Sequence, residues 1–557
     1  MAVLAAGEDR WAEFHSGPFQ IVTDGSAKTA RERLNLLEQL RNALGKLIGK
    51  TDPQLVWPIR LVLFKSPKEF GEYSLPESFA MGRDAWLSAW PAEMPLNRQW
   101  LRDCVQLILS ANTSRMPAGI ERGLRDLFST LQASGTHVTL GTAMPPDERN
   151  VDWALLQMLA TNPDTAGKLG VFVQNLAQGG DLDGAAHNAF DKPVADLNRQ
   201  AAAYLAAGHF PTIEVSARAL NPNFDFPERP WDHEAAGVTL ADLLSVNPAR
   251  AAQARAAYSG LKSFEAEAGL GLLCAREKKT DEARRFLGES TAGGTKSARA
   301  WVELAALETD PAKVRSDLEK AVPLNPRWAE PHVRLSKLGA DAAAQVPELK
   351  IAAQLEPRNA QLWQTLAETA EAGNQFQEAA KAWSAAERAA ATPEQQARIR
   401  QARLDVEQKR LDYEAAERRR AAEEKARDLE RVRNAAMAQV QQAVENANRQ
   451  MAANGSTPPP TKVVPWWGNT EQGSKKLNGV LQRVDCEGKA ARLIIRDDDG
   501  AVTRLVIRDA SAIAAQGGNQ ALGCGVQRAN RRIRVEYNAK PDAKLGVAGE
   551  VVMLEFP

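Results

Sequence analysis

Six histidines, His15, His137, His187, His209, His233 and His332, are spread along the 557 residues, and no two stand within two helical turns of each other. A zinc centre carried on a helix needs two imidazoles one turn apart, with a carboxylate beside the first to activate the bound water. That spacing is absent, so a metal hydrolase here would have to gather distant single histidines. The cysteines are equally scattered: Cys104, Cys274, Cys486 and Cys524 contain no C-x-x-C pair of the kind used by zinc ribbons and redox sites. Cys104 lies among Val105, Leu107 and Ile108, which suits a buried, inert thiol. There is no G-x-S-x-G elbow, Walker A loop or G-x-G-x-x-G fingerprint, and GLGLLC (Gly269 to Cys274) has only a helical frame around it. The expectation is a chain without cofactor or metal that is not an enzyme.

Charge excludes further classes. With 70 basic and 70 acidic residues the net charge is zero, and no global field draws the chain to nucleic acid or an anionic membrane. No run of 18 apolar residues reads as a transmembrane helix. The opening MAVLAAGEDRW looks like the end of an export signal without its basic n-region, leaving a cytoplasmic start and a truncated signal both open.

The elements that would position any site change character along the chain. Residues 11–215 alternate strand and helix patterns: FQIVT (Phe19 to Thr23) ends in Asp24-Gly25, a helix follows over Ala27 to Ile48 with Leu34, Leu37, Leu40 and Leu44 on one face, and IRLVLF (Ile59 to Phe64) forms the next strand. This predicts an α+β domain. WLRDCVQLILSANTSRMPAGIERGLRDLFSTL (Trp100 to Leu131) reads as two amphipathic helices broken at Thr113 to Pro117. Asn221 to Trp231 is Pro-rich and reads as a linker.

Residues 236–396 repeat. DLEKAVPLNP (Asp317 to Pro326) and ELKIAAQLEP (Glu348 to Pro357) match 31 residues apart. Trp363, Leu366, Ala367, Ala379, Trp383 and Ala386 fall where a tetratricopeptide repeat wants large, large, small, small, large and small residues. Leu270, Gly271, Ala283 and Leu287 repeat that frame, and Trp301, Leu304 and Ala305 begin another. Units starting near 261, 298, 328 and 360 predict a tetratricopeptide α-solenoid. Residues 397–453 form a long charged helix with few large apolar positions, more a solvated spacer or oligomerisation arm than a strong coiled coil. Residues 454–465 are a Pro-rich linker, and 466–557 carry about five short strands with turns at Glu487-Gly488 and Asp499-Gly500, predicting a small β-barrel-like domain. Cys486 and Cys524 share that domain; they would pair after export and stay free thiols in the cytosol. The whole is multidomain and mainly α.

WAEFHSGPFQIVTDG, the helix after it and PIRLVLFKSPKEF resemble the N-terminal domain of bacterial tetratricopeptide proteins bearing a gluzincin-type, peptidase-MA-like metallopeptidase domain. In that family a helix with H-E-x-x-H is followed by a second helix whose glutamate completes the zinc site. Laid on this chain, RDCVQ (Arg102 to Gln106) and PAGIERGLRD (Pro117 to Asp126) occupy those windows. Arg102 and Gln106 stand for the histidines, Asp103 for the catalytic glutamate and Arg122 for the third ligand, with Glu121 one residue before it. An arginine in two of three ligand positions repels a cation, so the resemblance implies a degenerate peptidase. It also implies a bacterial, periplasmic or secreted setting.

The reading that follows is a non-catalytic scaffold binding a protein or peptide in the concave groove of the solenoid. The alternative is a zinc metallopeptidase with an unconventional site. Arg528, Arg531, Arg532 and Arg534 raise a nucleic-acid reading for the last domain, but Asp497 to Asp499 and the lack of interleaved aromatics argue against it.

Overall fold

In the computed structural model, residues 11–134, 137–455, 474–509, 514–516, 523–527 and 531–556 are described. The remainder of the 454–465 linker, Trp466, Trp467 and Arg528 lie outside them. The chain divides into two compact units, Met1–Ala422 and Glu423–Pro557.

The first unit opens with a sheet built from β1 (Ala12–Ser16), β2 (Phe19–Thr23), β3 (Ile59–Phe64), β4 (Ala80–Met81) and β5 (Trp86–Pro91). β2, β3 and β5 run parallel, while β1 and β4 pair antiparallel at the two sides. Every residue of β2 and β3 is buried, as the continuous apolar runs FQIVT and IRLVLF require of central parallel strands. The crossover from β2 to β3 is α1 (Ala27–Ile48), capped by Ser26, which accepts from the Thr29 amide, and closed by Gly49 at φ 72°. Leu34, Leu37, Leu40 and Leu44 of α1 are all buried, so the expected face is the packed one.

A short α2 (Pro67–Tyr73) leads on to α3 (Arg98–Asn112) and α4 (Ala118–Phe128), broken where the sequence predicts. β6 (Gln132–Ser134) pairs with β7 (His137–Leu140), and β7 with β8 (Ile213–Val215), in a second sheet. Between them lie α5 (Val151–Thr161), α6 (Pro163–Ala166), α7 (Leu169–Ala177), α8 (Leu182–Phe190) and α9 (Val194–Ala207). The Pro-rich stretch is not a linker. It forms α10 (Pro222–Asp225) and β9 (Arg229–Pro230), β9 pairs with β1, and Phe226 is fully buried. One phenylalanine supplies enough apolar area to dock a segment whose prolines read as loop.

Five helical hairpins follow: α11 (His233–Ser245) with α12 (Ala251–Ser259), α13 (Phe264–Arg276) with α14 (Thr280–Ala292), α15 (Ala298–Leu307) with α16 (Pro311–Leu324), α17 (Ala329–Ser336) with α18 (Ala342–Leu355), and α19 (Ala360–Ala372) with α20 (Phe376–Ala389). The last four coincide with the sequence frame; α11 and α12 precede it. The small positions do what helix approach requires. A Cβ on Gly271 would stand 2.6 Å from Leu287 Cγ, and Ala283, Ala367, Ala379 and Ala386 have no exposed surface. Leu270, Leu287, Leu304, Ala305, Leu366 and Trp383 are buried, while Trp301 and Trp363 are partly buried against the same clusters.

α21 (Pro393–Ala453) starts four residues before the expected 397, because Pro393 suits the first turn of a helix. Only Ile399 and Val406 of it are buried, packed on the last hairpin. Arg400 and Arg403 pair with Glu387, and Lys409 with Glu371, at 2.7, 3.1 and 2.8 Å.

In the second unit β10 (Ser474–Glu487), β11 (Ala490–Asp497), β12 (Val502–Ile507), β13 (Ala514–Gln516), β14 (Gly525–Val526), β15 (Arg532–Asn538) and β16 (Gly549–Glu555) include the five expected strands and two short additions. The pairings β10–β11–β12–β16–β15–β10 close on themselves, making a five-stranded barrel around Leu493, Ile495, Leu505, Ile507, Val535 and Leu554. Gly500 at φ 88° makes the Asp499-Gly500 hairpin turn. Cys486 and Cys524 are joined by a disulfide.

Candidate functional site

The sequence window RDCVQ lies on α3 and PAGIERGLRD on α4, and the two helices bring Arg102 beside Asp126. Arg102 Nε is 2.7 Å from Asp126 Oδ1, and Arg102 Nη2 is 2.6 Å from Glu148 Oε2. Asn150 Nδ2 donates to the other Asp126 oxygen at 3.1 Å. A fixed guanidinium thus sits among the carboxylates, and charge-assisted pairs of this length are the strong kind. The other window residues are also engaged. Asp103 accepts from Ser78 Oγ at 2.6 Å and from Gln99 Nε2 at 2.9 Å. Gln106 donates to Ser110 Oγ at 3.0 Å, and the exposed Arg122 pairs with Asp152 at 3.2 Å. Glu121 is bound by Arg358 at 2.9 Å and accepts from the Met116 amide. The donor set does not fit zinc: no three His, Cys, Asp or Glu side chains among the described residues converge to hold a metal.

What surrounds the window is a cleft. One cavity of about 660 Å³ runs beside β5, lined by Phe70, Phe79, Trp90, Asp103, Gln106 and Leu107 among others. A second, of about 490 Å³, is lined by Trp57, Trp86, Gln106, Leu107, Trp328 and Arg358, and so by loops of the helical hairpins as well. Gln106 and Leu107 belong to both, which makes the two cavities neighbours along α3. On its outer side β5 is paired by β4 only at Trp86 and Leu87, so residues 88–91 have no strand partner there among the described residues, although Ser88, Ala89 and Pro91 are buried.

Loops and turns of the first domain cover part of the hairpin surface. Asn325 donates to the Val56 carbonyl at 3.0 Å, Trp57 meets Trp328 at 5.1 Å between ring centroids, and Arg358 donates to Thr113 Oγ1 at 2.6 Å. The turn between β4 and β5 inserts Arg83, which is buried against Asp242 of α11 at 3.5 Å and Glu265 of α13. Arg299 of α15 holds the Gly82 carbonyl. Tyr258 donates to Asp242 Oδ1 at 2.5 Å, and Arg60 binds Asp84 at 2.9 Å. None of these partners was legible from the sequence, because each pair joins residues far apart in the chain without a local motif.

The buried cluster sets opposite shifts on its two aspartates. Burial would raise Asp84, but Arg60 and Arg83 outweigh it and hold the carboxyl at about 2. For Asp242 burial wins over Arg83, and its pKa is raised. A depressed carboxyl contributes stability that is present above its unfolded pKa of 3.8 and is lost as pH falls toward about 2. Acid unfolding of Asp84→Asn is therefore expected to be flatter than wild type between pH 4 and about 2, checked by far-UV dichroism against pH. Parallel acid limbs would show that Asp84 is not held down.

The remaining candidates are ordinary. Burial pushes the Cys104 thiol up, with Asp103 adding to it, which makes it inert. Cys274 is raised by burial more than the facing Arg255 lowers it. His137 contacts Glu214, and His332 contacts Glu348 at 2.7 Å. In the barrel, Arg532 pairs with Asp498, and Arg534 with Glu555 at 3.1 Å. No helix among the described residues is long and apolar enough to cross a membrane.

No family model matches this chain, and no curated protein matches its sequence. Among solved structures it is similar to YrrB, described as a tetratricopeptide protein with an unusual peptide-binding site, at 16% identity and TM-score 0.25, over 30% of this chain and 92% of that one. It is also similar to MamA (17%, TM-score 0.23, 28% and 87%) and to PilF of Pseudomonas aeruginosa (13%, TM-score 0.27, 32% and 88%). These likenesses span about a third of this chain, and the tetratricopeptide character of the helical array rests on its own repeat spacing and small-residue packing.

Proposed function

We propose that this chain is a non-catalytic scaffold that binds an extended segment of polypeptide. The observation that carries the reading is the cleft along α3, where Ala89 and Trp90 of β5, the apolar Phe79 and Leu107, and Trp328 and Leu355 of the hairpins border adjoining space. A cleft with apolar and aromatic walls takes the side chains of an extended peptide in successive pockets. The first domain is read as a degenerate peptidase: Arg102, paired to Asp126 and Glu148, stands in the window where the resemblance expects a zinc ligand. The Cys486–Cys524 disulfide supports an oxidising, periplasmic or secreted setting.

The test is fluorescence anisotropy of labelled, unfolded casein titrated with the full chain. Saturable binding is expected, and Leu107→Arg, which puts a charge on the half-buried wall of the cleft, is expected to weaken it by about tenfold or more. Unchanged binding by a Leu107→Arg protein that melts like wild type would move the site elsewhere.

A further inference from the structure

A third cavity, unlike the apolar cleft, is bordered by two arginines that form no ion pair among the described residues. It has a volume of about 480 Å³ and is bordered by Arg33 of α1, Arg98 at the start of α3, the buried Ser129 and Thr130, and Thr139 and Thr142. No aspartate or glutamate lines it. Arg33 spends one nitrogen on the Met94 carbonyl at 3.1 Å, while its Nε is buried without a hydrogen-bond partner. Arg98 likewise has Nη1 buried without a partner. Neither forms an ion pair among the described residues. The nearest acid in sequence, Glu32, faces Lys28 at 4.0 Å, and His137 on the rim is taken by Glu214 at 2.8 Å.

A buried guanidinium nitrogen left unpaired costs free energy, and both arginines lining this cavity carry one, which favours an anion beside them. Burial pushes Arg33 down from its ordinary value more than Glu32 restores it, as expected of a desolvated cation. The N-terminus of α3 adds a favourable field, since its first turn carries no acidic residue. Thr139 and Thr142 make no side-chain hydrogen bond among the described residues and supply further donors.

We propose that this cavity is a binding site for a phosphate group, held by Arg33 and Arg98 with the threonine hydroxyls. Two guanidiniums balance a dianion, and their planar forks match tetrahedral phosphate oxygens approached from two elements. A monocarboxylate would leave one positive charge uncompensated.

The test is calorimetric titration of the full chain in chloride buffer with inorganic phosphate, glycerol 3-phosphate and acetate. One phosphate per chain is expected, with acetate much weaker. Arg33→Gln and Arg98→Gln are each expected to lower affinity by about tenfold or more, the loss for a charge-assisted pair. Tighter binding of glycerol 3-phosphate identifies an organic phosphate ester as the source, and tighter inorganic phosphate the free ion; both uphold the site. Because the arginine variants could fold poorly, hydrogen exchange of the wild-type chain is the second measurement. Phosphate should protect amides near 97–101 and 129–134. No saturable binding, acetate equal to phosphate, protection elsewhere, or undiminished binding by a folded double variant overturns the assignment.

Discussion

Arg102→Ala is expected to destabilise the first unit by about 3 kcal/mol, because it leaves carboxylates facing each other without their cation. Asp126 is 6% exposed and receives Arg102 and Asn150, so little water can replace the lost guanidinium. Glu148 is more exposed and can turn to solvent, which keeps the loss at the lower end of the range for breaking a buried pair. Arg102→Lys should recover only part, since an ammonium cannot reach two carboxylates with a fork. Removing Asp126 as well, in Arg102→Ala/Asp126→Asn, should recover stability relative to Arg102→Ala alone, and urea denaturation measures both. A loss below about 1 kcal/mol for Arg102→Ala would place the pair among solvated surface bridges.

Arg83→Ala is expected to cost more, about 4 kcal/mol, and to loosen the seam between the first sheet and the helical hairpins. Arg83 is 7% exposed and touches Asp84 at 3.4 Å, Asp242 at 3.5 Å and Glu265. Asp242 has no exposed surface, and without Arg83 it keeps only Tyr258 and the more distant Arg60 at 3.9 Å. The deletion therefore strands buried negative charge on two sides of a junction. Limited proteolysis should show faster cutting between α10 and α13 in Arg83→Ala, alongside the lowered urea midpoint. An unchanged proteolytic pattern with full stability would mean that the apolar contacts around Trp57 and Trp328 hold the seam without the ion cluster.

The parts of this molecule legible in its sequence are those written in local spacing. Period-two and continuous apolar runs gave β2 and β3, Asp-Gly turns gave the barrel hairpin, and a 31-residue register located the hairpins to within a few residues because each repeat packs mainly on its neighbour. What was hidden is non-local. Arg102 could be read as the wrong residue for a metal, but Asp126 and Glu148, which hold it, carry no motif. The prolines around Phe226 read as linker, although the ring itself is fully buried. The Trp57–Trp328 contact and the Arg83 cluster join segments more than 150 residues apart, and they cover hairpin surface that the repeat pattern alone presents as free.

The most direct measurement of the central claim is a single experiment on the full chain supplied with equimolar zinc. Labelled unfolded casein is added, and anisotropy and chain length are followed together. Saturable binding is expected, with the casein left intact and no change on adding a chelator. Cleavage that a chelator abolishes would contradict it.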